Sequence, residues 1–211
     1  MPYSVSSVLL GLVLCGALSA STITVNNGQS LQAAINSASD GDTIVVNPGT
    51  YTPQSPANWI TVSKAIKIIG SPANPAQTII QGNGNDVGVI WFQGNGGSLQ
   101  GFKIQGGGWG ARAGTMLNGV VSNVRFQDLI IDTDFAASSP GHGISMNAVN
   151  SVIDNCIVIK AWATGIGVSA GGGNLIINST VMQAQTQHAF VIQESDGNAV
   201  VGNTVLGSAN I

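Results

Sequence analysis

The sequence predicts an all-β fold, a single-stranded right-handed parallel β-helix closed at its N-terminal end by one capping α-helix. Three observations lead there. First, the last third of the chain repeats itself. Gly143-Ile144-Ser145-Met146 leads to Ser151-Val152-Ile153-Asp154-Asn155, and the grammar returns from Gly165 to Asn178 and again from Ala189 to Asn203. The three asparagines are 178 − 155 = 23 and 203 − 178 = 25 residues apart, a period typical of solenoids whose coils bury apolar residues only by stacking. Second, the runs between small polar turns are β-branched and lack helical spacing. Third, 44% of the 211 residues are hydrophobic and only 7% charged, the opposite of a disordered chain.

Residues 1–20 stand apart. Val8 to Leu18 is apolar but too short and Gly-broken to span a bilayer, and Ala17-Leu18-Ser19-Ala20 offers small residues for cleavage. This pattern predicts a secretory signal peptide over 1–20, a β-helix domain over 21–211, and a secreted protein. Cleavage would leave Cys156 as the one thiol, with no intrachain disulfide. Six Lys and Arg against nine Asp and Glu, with no basic run, exclude a nucleic-acid footprint.

Thr22-Ile23-Thr24-Val25 reads as a first strand. Ser30 can cap a helix in which Leu31, Ala34, Ile35 and Ala38 share one face. Asp40-Gly41-Asp42 ends it, and Thr43-Ile44-Val45-Val46 opens the next strand. A helix laid over the first coil covers its apolar end and its unpaired backbone edge. Looser coils follow: Trp59 to Val62, Ile66 to Gly70, Thr78 to Gly82, Val87 to Phe92, Phe102 to Ile104 and Val121 to Ile131. The glycine-rich run Gly106 to Ala111 reads as a protruding turn, and about seven coils are expected at this period.

The run from Leu31-Gln32-Ala33-Ala34-Ile35 to Asp42-Thr43-Ile44-Val45-Val46-Asn47-Pro48-Gly49-Thr50-Tyr51 resembles the N-terminal cap of the pectin-lyase-like superfamily, nearest to its chondroitinase and alginate lyase branch. The resemblance implies a carbohydrate-active protein that binds or cleaves acidic, uronate-containing polysaccharide. Lyase chemistry is preferred to hydrolysis, and a non-catalytic binding or surface-structural solenoid is the rival. A uronate lyase needs a cation, often calcium, against the sugar carboxylate and a base for the adjacent carbon-bound proton. The family's base is Lys or Arg. Of Lys64, Lys67, Lys103, Arg112, Arg125 and Lys160, Lys160 is best placed, in the turn before the first strand of a new coil. Asp132, Asp134, His142, Trp162 and His188 are expected in that same turn on neighbouring coils. They would form one surface stripe with Lys160, His142, Asp132 and Asp134 as catalytic candidates. Trp162, His188 and Trp109, on the Gly-rich turn, are candidates for sugar binding.

Gly141-His142-Gly143 also resembles the Gly-His-Gly segment of polygalacturonases. That family's Asp-Asp is missing here, and its Arg-Ile-Lys position reads Gly165-Ile166-Gly167-Val168. Asp132 and Asp134 are the one carboxyl pair available for such a hydrolase. The outward positions of the repeated first strand, Ser145, Gly167 and Val191, carry no acid–base group. The recurring asparagines predict a hydrogen-bonded corner ladder rather than a site, which makes the sequon Asn178-Ser179-Thr180 a poor glycosylation acceptor. The sequence stops one short turn after Leu206 without a covering segment. That predicts either a longer natural chain or self-association through the last coil.

Overall fold

The structure is a computed structural model that describes residues 19–54, 59–114, 119–133 and 141–210. The expected signal peptide lies outside the described residues up to position 18, and Asp134 lies outside them too. The chain winds into a parallel β-solenoid of about 7 turns with three faces, and every strand pair recorded is parallel.

Face 1 stacks Ile60–Val62, residues 90–92, residues 111–113, Ile144–Val149, Ile166–Gly172 and Phe190–Gln193. Face 2 begins with Thr22–Val25 on Thr43–Val46 and continues through Lys67–Ile69 to Ala199–Val201. Face 3 runs from Gly49–Tyr51 to Thr204–Val205. Alternation along each strand sends one set of side chains into the tube. On face 1 these are Ile60, Ile90, Ala111, Ile144 and Ile166, none more than 1% exposed. Each buried Ile contributes about 1.5–3 kcal/mol relative to exposure. Phe92 and Phe126 meet edge to face across the core at 5.3 Å.

The cap helix spans Leu31–Ser37, with the Ser30 hydroxyl accepting from the Ala33 amide at 3.1 Å. Leu31, Ile35 and Ala38 are buried on the end of the first coil. Two side chains fasten it there. The Gln32 amide stands in for a missing strand neighbour: it accepts from the Thr61 N–H at 2.8 Å and donates to the Thr61 carbonyl at 3.1 Å. The Lys64 ammonium donates to the carbonyls of Ile35, Asn36 and Ala38, satisfying the helix's last acceptors.

Two corners carry the polar ladders. Between faces 2 and 3, Gly101, Asp128, Asn155, Asn178 and Gly202 all take a left-handed backbone, with φ from 51° to 78°. The Asn155 amide donates to Asp128 Oδ1 at 2.7 Å. Asp128 therefore shares the corner as expected, but Asn203 does not. Ile177 pairs with Val201, so Gly202 is the partner of Asn178, and Asn203 falls one place later, beneath Ser179. There Asn203 Oδ1 accepts from the Ser179 amide at 2.8 Å, and Ser179 Oγ accepts from the Cys156 amide at 3.2 Å. Cys156 is a rung of this inner ladder; burial pushes its thiol pKa up to about 12, so it stays protonated.

The glycine-rich run is not a protruding turn. It lies inside the long strand Ser98–Ala113. A Cβ on Gly110 would stand 2.4 Å from the Gly143 carbonyl oxygen, so glycine there lets two coils approach closely rather than freeing a loop.

Candidate functional site

Register fixes what face 1 presents to solvent. Thr61, Trp91, Arg112, Ser145, Gly167 and Val191 form one outward column, because their neighbours along each strand point in. A second column lies three residues earlier: Gly88 pairs with Trp109, and His142, Thr164 and His188 precede Ser145, Gly167 and Val191 at the same offset. One half of this surface is aromatic and cationic; the other half is small and polar.

In the first half, three indoles surround one guanidinium. The Arg112 guanidinium carbon lies 4.8 Å from the Trp109 ring, 5.6 Å from Trp91 and 6.0 Å from Trp59. Trp59 and Trp91 are tilted against each other at 5.7 Å. Gly88 makes this possible, since a Cβ there would fall within about 2 Å of the Trp59 ring atoms. His142 continues the column, its ring 4.5 Å from that of Trp109.

Three buried polar atoms of this cluster lack a hydrogen-bond partner: Trp91 Nε1, Arg112 Nε and His142 Nδ1. Such atoms are rare and costly, about 1–3 kcal/mol each, and three gathered in one place point to a ligand or ordered water. Burial, and then the charge of Arg112, lowers the His142 pKa to about 4, so the imidazole is neutral at physiological pH. Burial also lowers the pKa of Arg112, which remains a cation.

A groove of about 720 Å³ opens in front of this cluster. Trp109, Arg112 and His142 form its head. Ser145, Gly167 and Val191 form the floor, with His188 on one flank and Asn147, Ser169 and Gln193 on the other. The face that reads as blank in sequence is thus a groove floor. Side chains that can do no acid–base work leave room for a chain to settle onto the sheet.

The structure divides the residues singled out from sequence. Trp109, His142 and His188 line the groove together. Asp132 and Lys160 end their strands on face 3, paired in register, and neither lines it. Asp132 is bound to Lys103 at 3.5 Å. Trp162 is half-buried, and its carbonyl accepts from the Thr186 hydroxyl at 2.8 Å; it too is absent from the lining. Of the expected stripe, His142 and His188 line the groove, whereas Asp132, Lys160 and Trp162 do not. Trp91 and Trp59 were missed, and Arg112, named among the cations, was passed over for Lys160. Their signal was the alternation of Gly110-Ala111-Arg112-Ala113 against Val89-Ile90-Trp91-Phe92, which points Arg112 and Trp91 the same way. Among the described residues no group of three or more His, Cys, Asp or Glu could hold a metal ion.

The chain is a parallel β-helix with an Arg–Trp–His groove along one face. Its fold is the pectin-lyase-like one. The structure is similar to pectate lyase Pel9A, with a TM-score of 0.61 and 17% identity over 85% of this chain and 54% of that one. It is also similar to an alginate lyase from Paenibacillus sp. str. FPU-7, with a TM-score of 0.60 and 16% identity over 83% of this chain and 65% of that one. The chain thus spans less than two thirds of either protein's length. No family model and no curated protein matches the sequence. No helix among the described residues is long and apolar enough to cross a membrane.

Proposed function

We propose that this is a secreted carbohydrate-active β-helix that binds uronate-containing polysaccharide in the face 1 groove and cleaves it as a lyase. One observation carries the reading: a guanidinium with an unpaired Nε, held among three indoles beside a neutral imidazole. An indole face suits the apolar side of a pyranose, and a guanidinium suits the carboxylate that distinguishes a uronate from a neutral sugar.

The chemistry follows from those groups. Arg112 pairs with the carboxylate and offsets the charge that grows on it as the adjacent carbon loses its proton. His142, neutral and at the head of the groove, accepts that proton. The electron pair forms the ring double bond as the glycosidic C–O bond breaks, and the departing oxygen takes a proton from water. Calcium at the sugar carboxylate would supply the same positive charge.

A second reading, binding without cleavage, is favoured by the floor, since Ser145, Gly167 and Val191 bring no titratable group. The hydrolase reading gains no support: no carboxyl is among the described residues that line the groove, and an inverting or retaining hydrolase needs two. The test is ultraviolet absorbance of unsaturated uronate on pectate, alginate and chondroitin, with and without calcium, alongside binding to the same polymers by affinity electrophoresis. Absorbance gain establishes the lyase, retardation without it establishes the binder, and neither overturns the reading.

A further inference from the structure

The lining of the groove ends on one side at Arg112 and Trp109. Along the outward column the floor runs Val191, Gly167, Ser145, then rises to Arg112 and next to Trp91. The lining stops at Arg112 and Trp109 and includes neither Trp91 nor Trp59. Those two indoles stand directly behind, one against the other at 5.7 Å, with Trp59 seated over Gly88. A sugar chain lying along the floor would have to climb both indoles within a single coil step. From Val191 to Arg112 there are three such steps, about 14 Å at ~4.8 Å per coil, which is room for a short oligosaccharide. At that end Arg112 and His142 both line the groove, and a terminal carboxylate there would meet the guanidinium.

Resting on the polysaccharide reading above, we infer that the protein recognises chain ends: the terminal uronate seats against Arg112 and Trp109, Trp91 and Trp59 bar further passage, and the rest of the chain leaves over Gly167 and Val191. Internal segments do not fit, because they would need the groove to continue on both sides of Arg112. Cleavage from this pose requires the reducing-end uronate, whose C4 oxygen carries the rest of the chain: as C5 loses its proton the C4–O bond breaks, and one unsaturated sugar is released from the end rather than the chain being cut at its middle.

The count of protein molecules per sugar chain tests this without relying on turnover. Native mass spectrometry in the cold, with protein in excess over pectate, alginate and chondroitin oligosaccharides of increasing length, is expected to show one protein per chain at every length for the series that binds. A count that rises with length overturns end recognition and leaves the polysaccharide reading standing. Absence of binding in all three series overturns both. Trp91→Ala, checked for an unchanged circular dichroism spectrum, should lower the barrier and raise the count above one on the longest oligosaccharides. A folded Trp91→Ala protein that still binds once per chain overturns the stop assigned to this residue.

Discussion

Arg112→Met separates a binding residue from a packing residue, because the structure sets opposite expectations for affinity and stability. Methionine keeps an unbranched apolar stem of similar reach and removes the charge. What the fold loses is ring contact. The guanidinium has one indole at 4.8 Å, one at 5.6 Å and one at the 6.0 Å limit, worth together about 1–2 kcal/mol in a partly desolvated site. What it gains is relief of a buried Nε without a partner, a burden of about 1–3 kcal/mol. The two nearly cancel, so the unfolding free energy should change by no more than about 1 kcal/mol, in either direction. Affinity has no such offset. Losing a charge-assisted, two-pronged pair with a carboxylate costs about 1.5–3 kcal/mol, or roughly tenfold to a hundredfold and more in Kd. Affinity electrophoresis on pectate and alginate gels reads the second quantity, and urea unfolding the first. Arg112→Lys should fall between, since it restores the charge without the fork. A variant destabilised by more than about 2 kcal/mol with unchanged affinity would make Arg112 a packing residue and remove the basis for the proposed site.

Four further outcomes follow. Folded, His142 stays neutral down to pH about 4, against 6.5 as its ordinary value, so between those values the unfolded chain binds more protons. Stability should therefore fall, on the order of a few kcal/mol, as pH drops through that window, and His142→Gln should flatten this part of the pH–stability curve. Lys160→Ala should keep full turnover, because Lys160 does not line the groove; a loss of ~10²-fold or more, the scale for a removed base, would return the chemistry to the face 3 turn. Gly88→Ala drives a methyl into the Trp59 ring, which should cost ~1–3 kcal/mol and shift the tryptophan fluorescence. Asn155→Gly should be nearly neutral, as Gly202 already fills the equivalent corner, whereas Asn155→Val should cost ~1–2 kcal/mol for a left-handed backbone, both read from thermal melts.

The fold was legible wherever coils repeat a large apolar inward pair, as Ile144 and Met146 do with Ile166 and Val168. The cap was legible because Leu31, Ala34, Ile35 and Ala38 obey a helical period. Legibility failed where side chains are small. Ala111 and Ala113 fill the inward positions that larger residues occupy elsewhere, so Gly110-Ala111-Arg112-Ala113 does not read as a strand, and the outward Arg112 was lost with it. A one-residue slip did the rest at Asn203. Because the left-handed corner accepts Asn, Asp or Gly, the corner moved to Gly202, while the next asparagine served the inner ladder beside it.

The site was harder to read than the fold for a geometric reason. A solenoid brings residues together by coil register, and its chemistry stands in a column that crosses coils of unequal length. Trp91 to Arg112 is 112 − 91 = 21 residues and Ser145 to Gly167 is 167 − 145 = 22, but Arg112 to Ser145 is 145 − 112 = 33. Extra residues in a turn leave the strand register intact, since a longer loop costs little more to close, yet they break the periodicity that reveals the register in sequence. The break falls at the boundary between the aromatic head and the small-residue floor. A reader following the period up from the C-terminal coils meets Val191, Gly167 and Ser145 and finds an empty face. Only the pairing of Ser145 with Arg112 shows that the same column continues into a cation and three indoles.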